Sequence, residues 1–231
     1  RDVARWSRRL RRDLAALGRV LEDEGRRLSG LRLDRAGLEG ALLRGDPRIL
    51  VGRRERLRTD LHLGVLVDCS GSMQIVHRLE RAKRFAAVIA GAVEGNPGID
   101  ARFWGFTDDR IYDAGTAARC AVHALRTSGG NNDAAALWHA AEVALRSPRS
   151  ARLLIMISDG SPTECSVSAL TALATHLTRR RRILCAQVAV ASLEHICFPH
   201  YVEILDDDFD AATRRFGALV ARRIGALLRG G

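Results

Sequence analysis

Residues 68–73 read Asp-Cys-Ser-Gly-Ser-Met and follow the apolar run 61–67. A strand that ends in such a turn can aim the carboxylate of Asp68 and the hydroxyls of Ser70 and Ser72 at one point. These are hard oxygen donors, suited to Mg²⁺ or Mn²⁺ rather than to a soft metal. Gly71 supplies backbone freedom between the two serines. A second apolar run, 152–158, contains Leu-Leu-Ile-Met-Ile and ends in Asp159-Gly160. Between the two runs, Ser128-Gly129-Gly130-Asn131-Asn132-Asp133-Ala134 leads into a helical pattern. Reading Ser70 or Ser72 as a catalytic nucleophile requires a base and an oxyanion hole. Neither a G-x-S-x-G elbow nor a histidine partner accompanies them, so no catalysis is expected.

The elements that position these residues follow from hydrophobic periodicity. Strands are expected at 61–67, 99–106, 110–112, 152–158, 182–190 and 201–205. Helices are expected at 78–94, 133–145, 168–179 and 210–228. Strands separated by helices need crossover connections. The fold class is therefore α/β: a doubly wound, Rossmann-like, mainly parallel sheet with helices on both faces. In such sheets ligands bind beyond the carboxyl ends of the strands, where Asp68 and Asp159 fall. Ahead of this region, Trp6, Leu10, Leu14, Leu17, Leu21 and Leu28 recur at helical spacing, which predicts an amphipathic helix over 2–28. Ser29-Gly30 ends it, and Asp34 can cap a second helix reaching Leu43. Residues 1–59 are read as a helical basic arm and 60–231 as the domain. The arm's apolar stripe is expected to dock, with its arginines outward.

The 231 residues suffice for one domain and an appendage. Residues 1–60 hold 17 arginines against 10 acids, so most of the net charge of +10 sits there. A basic arm favours an acidic partner surface. Nucleic acid is not expected, because no recognition motif or aromatic interleaving accompanies the arginines. Five cysteines without metal-ligand spacing read as free thiols of a reducing, cytoplasmic protein. No apolar run is long enough to span a membrane. The acids Asp206, Asp207, Asp208 and Asp210 read as the favoured negative start of a helix. His139 reads as structural or exposed.

The Asp-x-Ser-x-Ser turn after a strand resembles the metal-ion-dependent adhesion site of von Willebrand factor A (VWA) domains. The strand ending in Ser158-Asp159-Gly160 and the loop around Asn131 stand where that family places its other site segments. The resemblance covers roughly residues 60–229 and implies that the strands ending at Asp68 and Asp159 are neighbours. It also implies a partly open Mg²⁺ or Mn²⁺ site completed by a partner's carboxylate. The commoner family loop, Gly-Gly-Thr-x-Thr, is replaced here by Asn131 and Asp133. This variant resembles the A domain of the cobaltochelatase subunit and its relatives. Asn131 offers an amide oxygen and Asp133 a carboxylate, and the pattern leaves open which one reaches the ion. Asp133 is expected to act through water, because another directly bound carboxylate would weaken the pull on an acidic partner. The metal set is thus Asp68, Ser70, Ser72, Asn131, Asp133 and Asp159. The helical arm and the run around Gly45-Asp46-Pro47 resemble bacterial A-domain proteins that work with AAA+ ATPases of the MoxR type, such as the nitric oxide reductase activation protein. That implies a non-catalytic adaptor, in an oligomer or not, acting on a client protein in remodelling or metal and cofactor insertion. The alternative it leaves is a subunit of an ATP-driven cobalt or magnesium chelatase acting on a tetrapyrrole.

Overall fold

The computed structural model describes residues 2–17, 19–28, 32–33, 37–45, 48–57, 59–205 and 208–229. Its packing divides the chain into two units. One joins Arg1–Leu17 to Asp60–Gly231, and the other is Gly18–Thr59. The chain begins with α1 (Asp2–Leu17). The smaller unit follows, with β1 (Arg19–Arg27), β2 (Arg32–Leu33), α2 (Gly37–Arg44) and β3 (Leu50–Leu57) in an antiparallel sheet of order β1-β3-β2.

This corrects the helix expected over 2–28. It ends at Leu17, and residues 19–27 form a strand. The sequence has a reason for the change: Gly18 is a poor helix former and β-branched Val20 favours a strand. β1 also finds a pairing partner far along the chain. It runs antiparallel to β3 with Glu22 in register with Arg54 and Asp23 with Arg53, so acidic residue types meet basic ones. The expected signals Ser29, Gly30, Asp34, Asp46 and Pro47 lie outside the described residues, as do the side chains of Leu17 and Leu21. Leu28 is exposed.

The larger unit continues with β4 (Leu61–Asp68), a 3₁₀ segment (Gly71–His77), α3 (Arg78–Val93), β5 (Ile99–Phe106), β6 (Ile111–Thr116) and β7 (Arg119–Cys120). It ends with α4 (Asp133–Arg146), β8 (Ala151–Ser158), α5 (Val167–Arg180), β9 (Ile183–Ala189), β10 (Tyr201–Glu203) and α6 (Phe209–Arg229). The seven strands lie in the order β10-β9-β8-β4-β5-β6-β7. β4 sits centrally, parallel to β5 on one side and to β8 on the other. Within this seven-stranded sheet the antiparallel pairs among the described strands are β5-β6 and β6-β7. β6 extends further than the strand expected at 110–112, and β7 was not expected. Two residues pairing at a sheet edge carry no periodicity.

Alternation along the strands builds a core on each face. Leu61, Leu63, Val65 and Val67 of β4 join Leu153, Ile155 and Ile157 of β8 on the side of α1, α3 and α6. Leu66, Leu154 and Met156 face the opposite way, toward α4 and α5. Gly64 lies on that second face, where a Cβ would stand 2.6 Å from Leu154 and 3.1 Å from Trp104.

Helix α1 belongs to this core. Leu10 is fully buried and Leu14 nearly so. Trp6 stacks on Phe209 with ring centroids 5.1 Å apart. Ser7 Oγ donates to the Val88 carbonyl at 3.0 Å. Not all of the arginines point outward. Arg11 donates to the carbonyls of Gly91 (2.6 Å), Ala92 (3.2 Å) and Glu94 (3.2 Å), at the carboxyl end of α3, where helix carbonyls lack intrahelical partners. Arg5 and Arg9 lie 3.6 and 3.5 Å from Asp210, in the first turn of α6. Asp208 Oδ1 caps the same helix by accepting from the Ala211 amide at 2.9 Å, which gives these two acids the helix-start role expected of them. Asp206 and Asp207 lie outside the described residues.

Two expectations follow. Leu10→Ala should cost about 2–5 kcal/mol in denaturant unfolding, the range for emptying a buried leucine site; a cost below ~0.5 kcal/mol would mean α1 is not part of the core. The second concerns His62 on β4, which is buried between Asp100 and Arg152 in register. Its Nδ1 lies 3.3 Å from Asp100 Oδ2, and its Nε2 has no partner. Burial holds its pKa below the ordinary 6.5, opposed by Asp100 and reinforced by Arg152 and Arg102. As pH falls through 6.5, the unfolded chain gains this proton before the folded one does, so stability declines. Wild type should therefore lose more stability than His62→Leu between pH 7 and 5, and parallel pH profiles would contradict the assignment.

Candidate cation site at the carboxyl edge of the sheet

Four loops converge beyond the carboxyl ends of β4, β5 and β8, and their backbones hold them together. The Cys69 amide donates to the Phe106 carbonyl (2.8 Å), Gly71 to Gly129 (2.9 Å) and Ser128 to Cys69 (2.7 Å). Asn132 donates to Thr107 (3.2 Å), and Glu164 to Asn131 (3.0 Å). Gly129 has φ +57°, and a Cβ there would lie 2.6 Å from an Asp108 carboxylate oxygen. The left-handed angle favours glycine, while the exposed Asp108 side chain could move to admit a Cβ.

All six predicted residues lie at this edge. Asp68, Ser70, Asn131, Asp133 and Asp159 are buried, and Ser72 is partly exposed. The Ser70 amide donates to Asp68 Oδ1 at 2.8 Å. Ser70 Oγ and Ser72 Oγ are 3.1 Å apart. Asn131 Nδ2 donates to Asp68 Oδ2 at 3.1 Å and to the Ser161 carbonyl at 3.2 Å. Asp159 Oδ1 accepts from the Ser161 amide at 3.3 Å, and its Oδ2 pairs with Arg78 Nη1 at 3.0 Å. Asp133 Oδ2 is buried without a partner. The residue that caps α4 is Asn132, whose Oδ1 accepts from the Ala135 amide at 3.1 Å, so Asp133 is left free of that task.

Two contributors were not legible in the sequence. Thr163 holds Asn131: its amide donates to Asn131 Oδ1 at 2.7 Å, and its hydroxyl lies 3.0 Å from the same oxygen. An amide N–H can only donate, so the atom facing it is the oxygen of Asn131 and the NH₂ group must face Asp68. In this arrangement Asn131 grips the carboxylate and its oxygen is already engaged. Arg78, the first residue of α3, brings the second surprise. It follows Val76 (φ 47°) and His77 (φ 57°), two non-glycine residues in the left-handed region, and its guanidinium reaches Asp159. Ser161-Pro162-Thr163 has the makeup of an ordinary turn, and Arg78 that of an exposed helix residue. Neither carries a local signature.

The electrostatics follow from burial. Asp68 is pushed up to about 6, chiefly by burial, while the Ser70 amide and hydroxyl and the Asn131 amide pull it down and the Asp159 charge adds to the rise. Asp133 is pushed up to about 8 by burial and then by the charges of Asp68 and Asp159. Cys69 rises to about 12 from burial and the Asp68 charge. Negative charge is thus gathered where water cannot stabilise it, and a bound cation would invert that penalty.

The residues fit a small hard cation. Ligands at the 2.0–2.1 Å of an octahedral Mg²⁺ lie about 2.9–3.0 Å apart along an edge, close to the Ser70–Ser72 hydroxyl spacing. The unpartnered oxygen of Asp133 is a ready acceptor for such an ion or its water. Among the described residues, no three His, Cys, Asp or Glu side chains form a coordination group by themselves. A cation here would be shared between carboxylate, hydroxyls and water, as Mg²⁺ prefers.

Doubly wound topology, β4 at the centre and an Asp-x-Ser-x-Ser turn at its carboxyl end together define a VWA-type domain. The sequence pattern of the family described as VWA domain containing CoxE-like protein matches residues 6–201, and the chain belongs to that family. Solved structures share the fold. A von Willebrand factor type A protein from Catenulispora acidiphila superposes with TM-score 0.56 at 16% identity, over 75% of this chain and 45% of that one. The conserved hypothetical protein BatB from Bacteroides thetaiotaomicron gives 0.51 at 18% identity, over 71% and 98%. The SpRpn10 VWA domain gives 0.50 at 13% identity, over 74% and 94%. No curated protein matches the chain.

The Thr163–Asn131 clamp can be tested alone. Thr163→Val keeps the shape and removes the hydroxyl that accepts from the Asn131 amide at 2.9 Å. It should destabilise the protein by about 1 kcal/mol and move the Asn131 side-chain amide resonances in an NMR spectrum. Unmoved resonances would show that the Thr163 hydroxyl does not position Asn131, leaving that task to the Thr163 backbone amide.

Proposed function

We propose that this chain is a non-catalytic, cation-dependent protein-interaction module. Mg²⁺ or Mn²⁺ is held by Asp68, Ser70 and Ser72, with Asn131 positioning Asp68 and with Asp133 and Asp159 acting directly or through water. The ion supplies an electrophilic point for an acidic side chain of a partner. The observation that carries this reading is the unpartnered, buried Asp133 oxygen beside Asp68 and two hydroxyls spaced like neighbouring ligands. Membership of the CoxE-like VWA family supports an interaction role. Against hydrolysis, neither serine hydroxyl is paired with a histidine among the described residues. No helix of the described residues is long and apolar enough to cross a membrane.

The partner proposed is a MoxR-type AAA+ ATPase, with a client protein engaged through its acidic residue. In this arrangement the ATPase performs the mechanical work, and the present chain couples it to remodelling or cofactor insertion. The net charge of +10 suits an acidic docking surface. A subunit of a cobalt or magnesium chelatase would use the same site, and among the described residues no feature specific to tetrapyrrole chemistry favours it.

The test is calorimetric. Wild type should bind one Mg²⁺ or Mn²⁺, and Asp68→Ala should weaken this at least ~10-fold while leaving the circular dichroism spectrum unchanged. Capture of a purified MoxR-type ATPase should fall in EDTA and in the variant alike. Unchanged metal affinity in Asp68→Ala would overturn the site, and cation-independent capture would overturn its role in recognition.

A further inference from the structure

Arg78 is placed where a helix-surface arginine has no ordinary reason to be. Its side chain is three-quarters covered, and its Nη1 lies 3.0 Å from an oxygen of Asp159, a carboxylate that is almost fully buried. The same nitrogen lies 3.5 Å from the Ser72 carbonyl. Arg78 therefore spans from the turn that carries the two serine hydroxyls to the carboxylate at the end of β8. Asp68 and Asp133 are buried nearby, close enough that the Asp159 charge raises both of their pKa values. The backbone that delivers Arg78 is itself unusual. A β-branched residue, Val76, and then His77 hold left-handed angles at the end of the 3₁₀ segment, just before α3, a conformation disfavoured for such residues.

We propose that Arg78 is an internal counter-ion of the cation site, which holds Asp159 when no divalent ion is bound and competes with that ion for the same negative charge. The inference rests on the cation-site reading above and deepens it. A guanidinium and a divalent cation repel one another in a confined space. Each must lower the affinity of the site for the other by the same factor, because linkage is reciprocal. The arrangement keeps a cluster of buried carboxylates tolerable without metal, and it sets a threshold of cation concentration for loading. A guanidinium displaced from Asp159 stays at the mouth of the site, where its fork matches a carboxylate, so loading would also present a second contact to an acidic partner.

The experiment uses the full chain, Mn²⁺ as the probe and three proteins: wild type, Arg78→Gln and Asp68→Ala. Arg78→Gln should bind Mn²⁺ about five-fold or more tightly than wild type. Without metal it should melt at lower temperature, and saturating Mn²⁺ should recover more of its stability than it adds to wild type. Asp68→Ala separates the two claims. Loss of binding in Asp68→Ala with equal or weaker binding in Arg78→Gln overturns the competition and leaves the site standing. Absence of binding in wild type and Arg78→Gln alike overturns both. Should Arg78→Gln not fold, the wild-type protein still decides: the Arg78 Nε–Hε resonance should shift as diamagnetic Mg²⁺ is added, with the midpoint of Mg²⁺ binding. A resonance that stays in place while Mg²⁺ binds would overturn the proposal.

Discussion

The constraint on which this structure turns is the burial of negative charge at the carboxyl edge of a parallel sheet. Asp68 ends the central strand β4, Asp159 follows its neighbour β8, and Asp133 opens α4, all with almost no exposure. Water is excluded, so each carboxylate raises the cost of ionising the next. The surrounding loops answer that cost with specific groups. Ser70 and Asn131 donate to Asp68, Ser161 and Arg78 to Asp159, while Asp133 keeps an oxygen without a partner. A bound cation would relieve the part of that cost that Arg78 and these donors leave.

The scaffold exists to hold that edge still. Both faces of β4 and β8 are covered by apolar layers, and the loops are cross-linked by backbone hydrogen bonds and by the Asn131 and Thr163 side chains. Helix α1 extends this support from the other end of the sequence. It seals the face formed by α3 and α6, with Arg11 satisfying the carbonyls at the end of α3. Charge that looked in the sequence like an outward basic arm is partly spent inside the fold, so any acidic partner meets fewer free arginines there than composition implies.

How much of this was legible follows from how local each signal is. The runs ending at Asp68 and Ser158 are long, apolar and bounded by turn residues, so the central strands and the sheet edge at which Asp68 and Asp159 meet could be read directly. The helix over 78–94 and the one starting at Asp133 have clear apolar faces. The strand β1 could not be read in this way. Leu21 within it and Leu28 just after it happen to continue the period of α1, and what makes it a strand is β3, some thirty residues on. Asn131 lies beside Asp68 at the sheet edge, but its oxygen is taken by Thr163, a contact between loops thirty-two residues apart. Arg78 reads as an exposed helix start and becomes part of the site only through the left-handed turn before it. Motifs announce groups adjacent in sequence, and groups that meet through folding leave no such mark.

The most direct measurement is a crystal structure of the full chain grown with Mn²⁺, with diffraction recorded at the manganese absorption edge. An anomalous peak is expected between the Asp68 carboxylate and the hydroxyls of Ser70 and Ser72, with Asp133 and Asp159 facing it directly or across water. A map with no peak at that position, or with manganese only elsewhere on the surface, would contradict it.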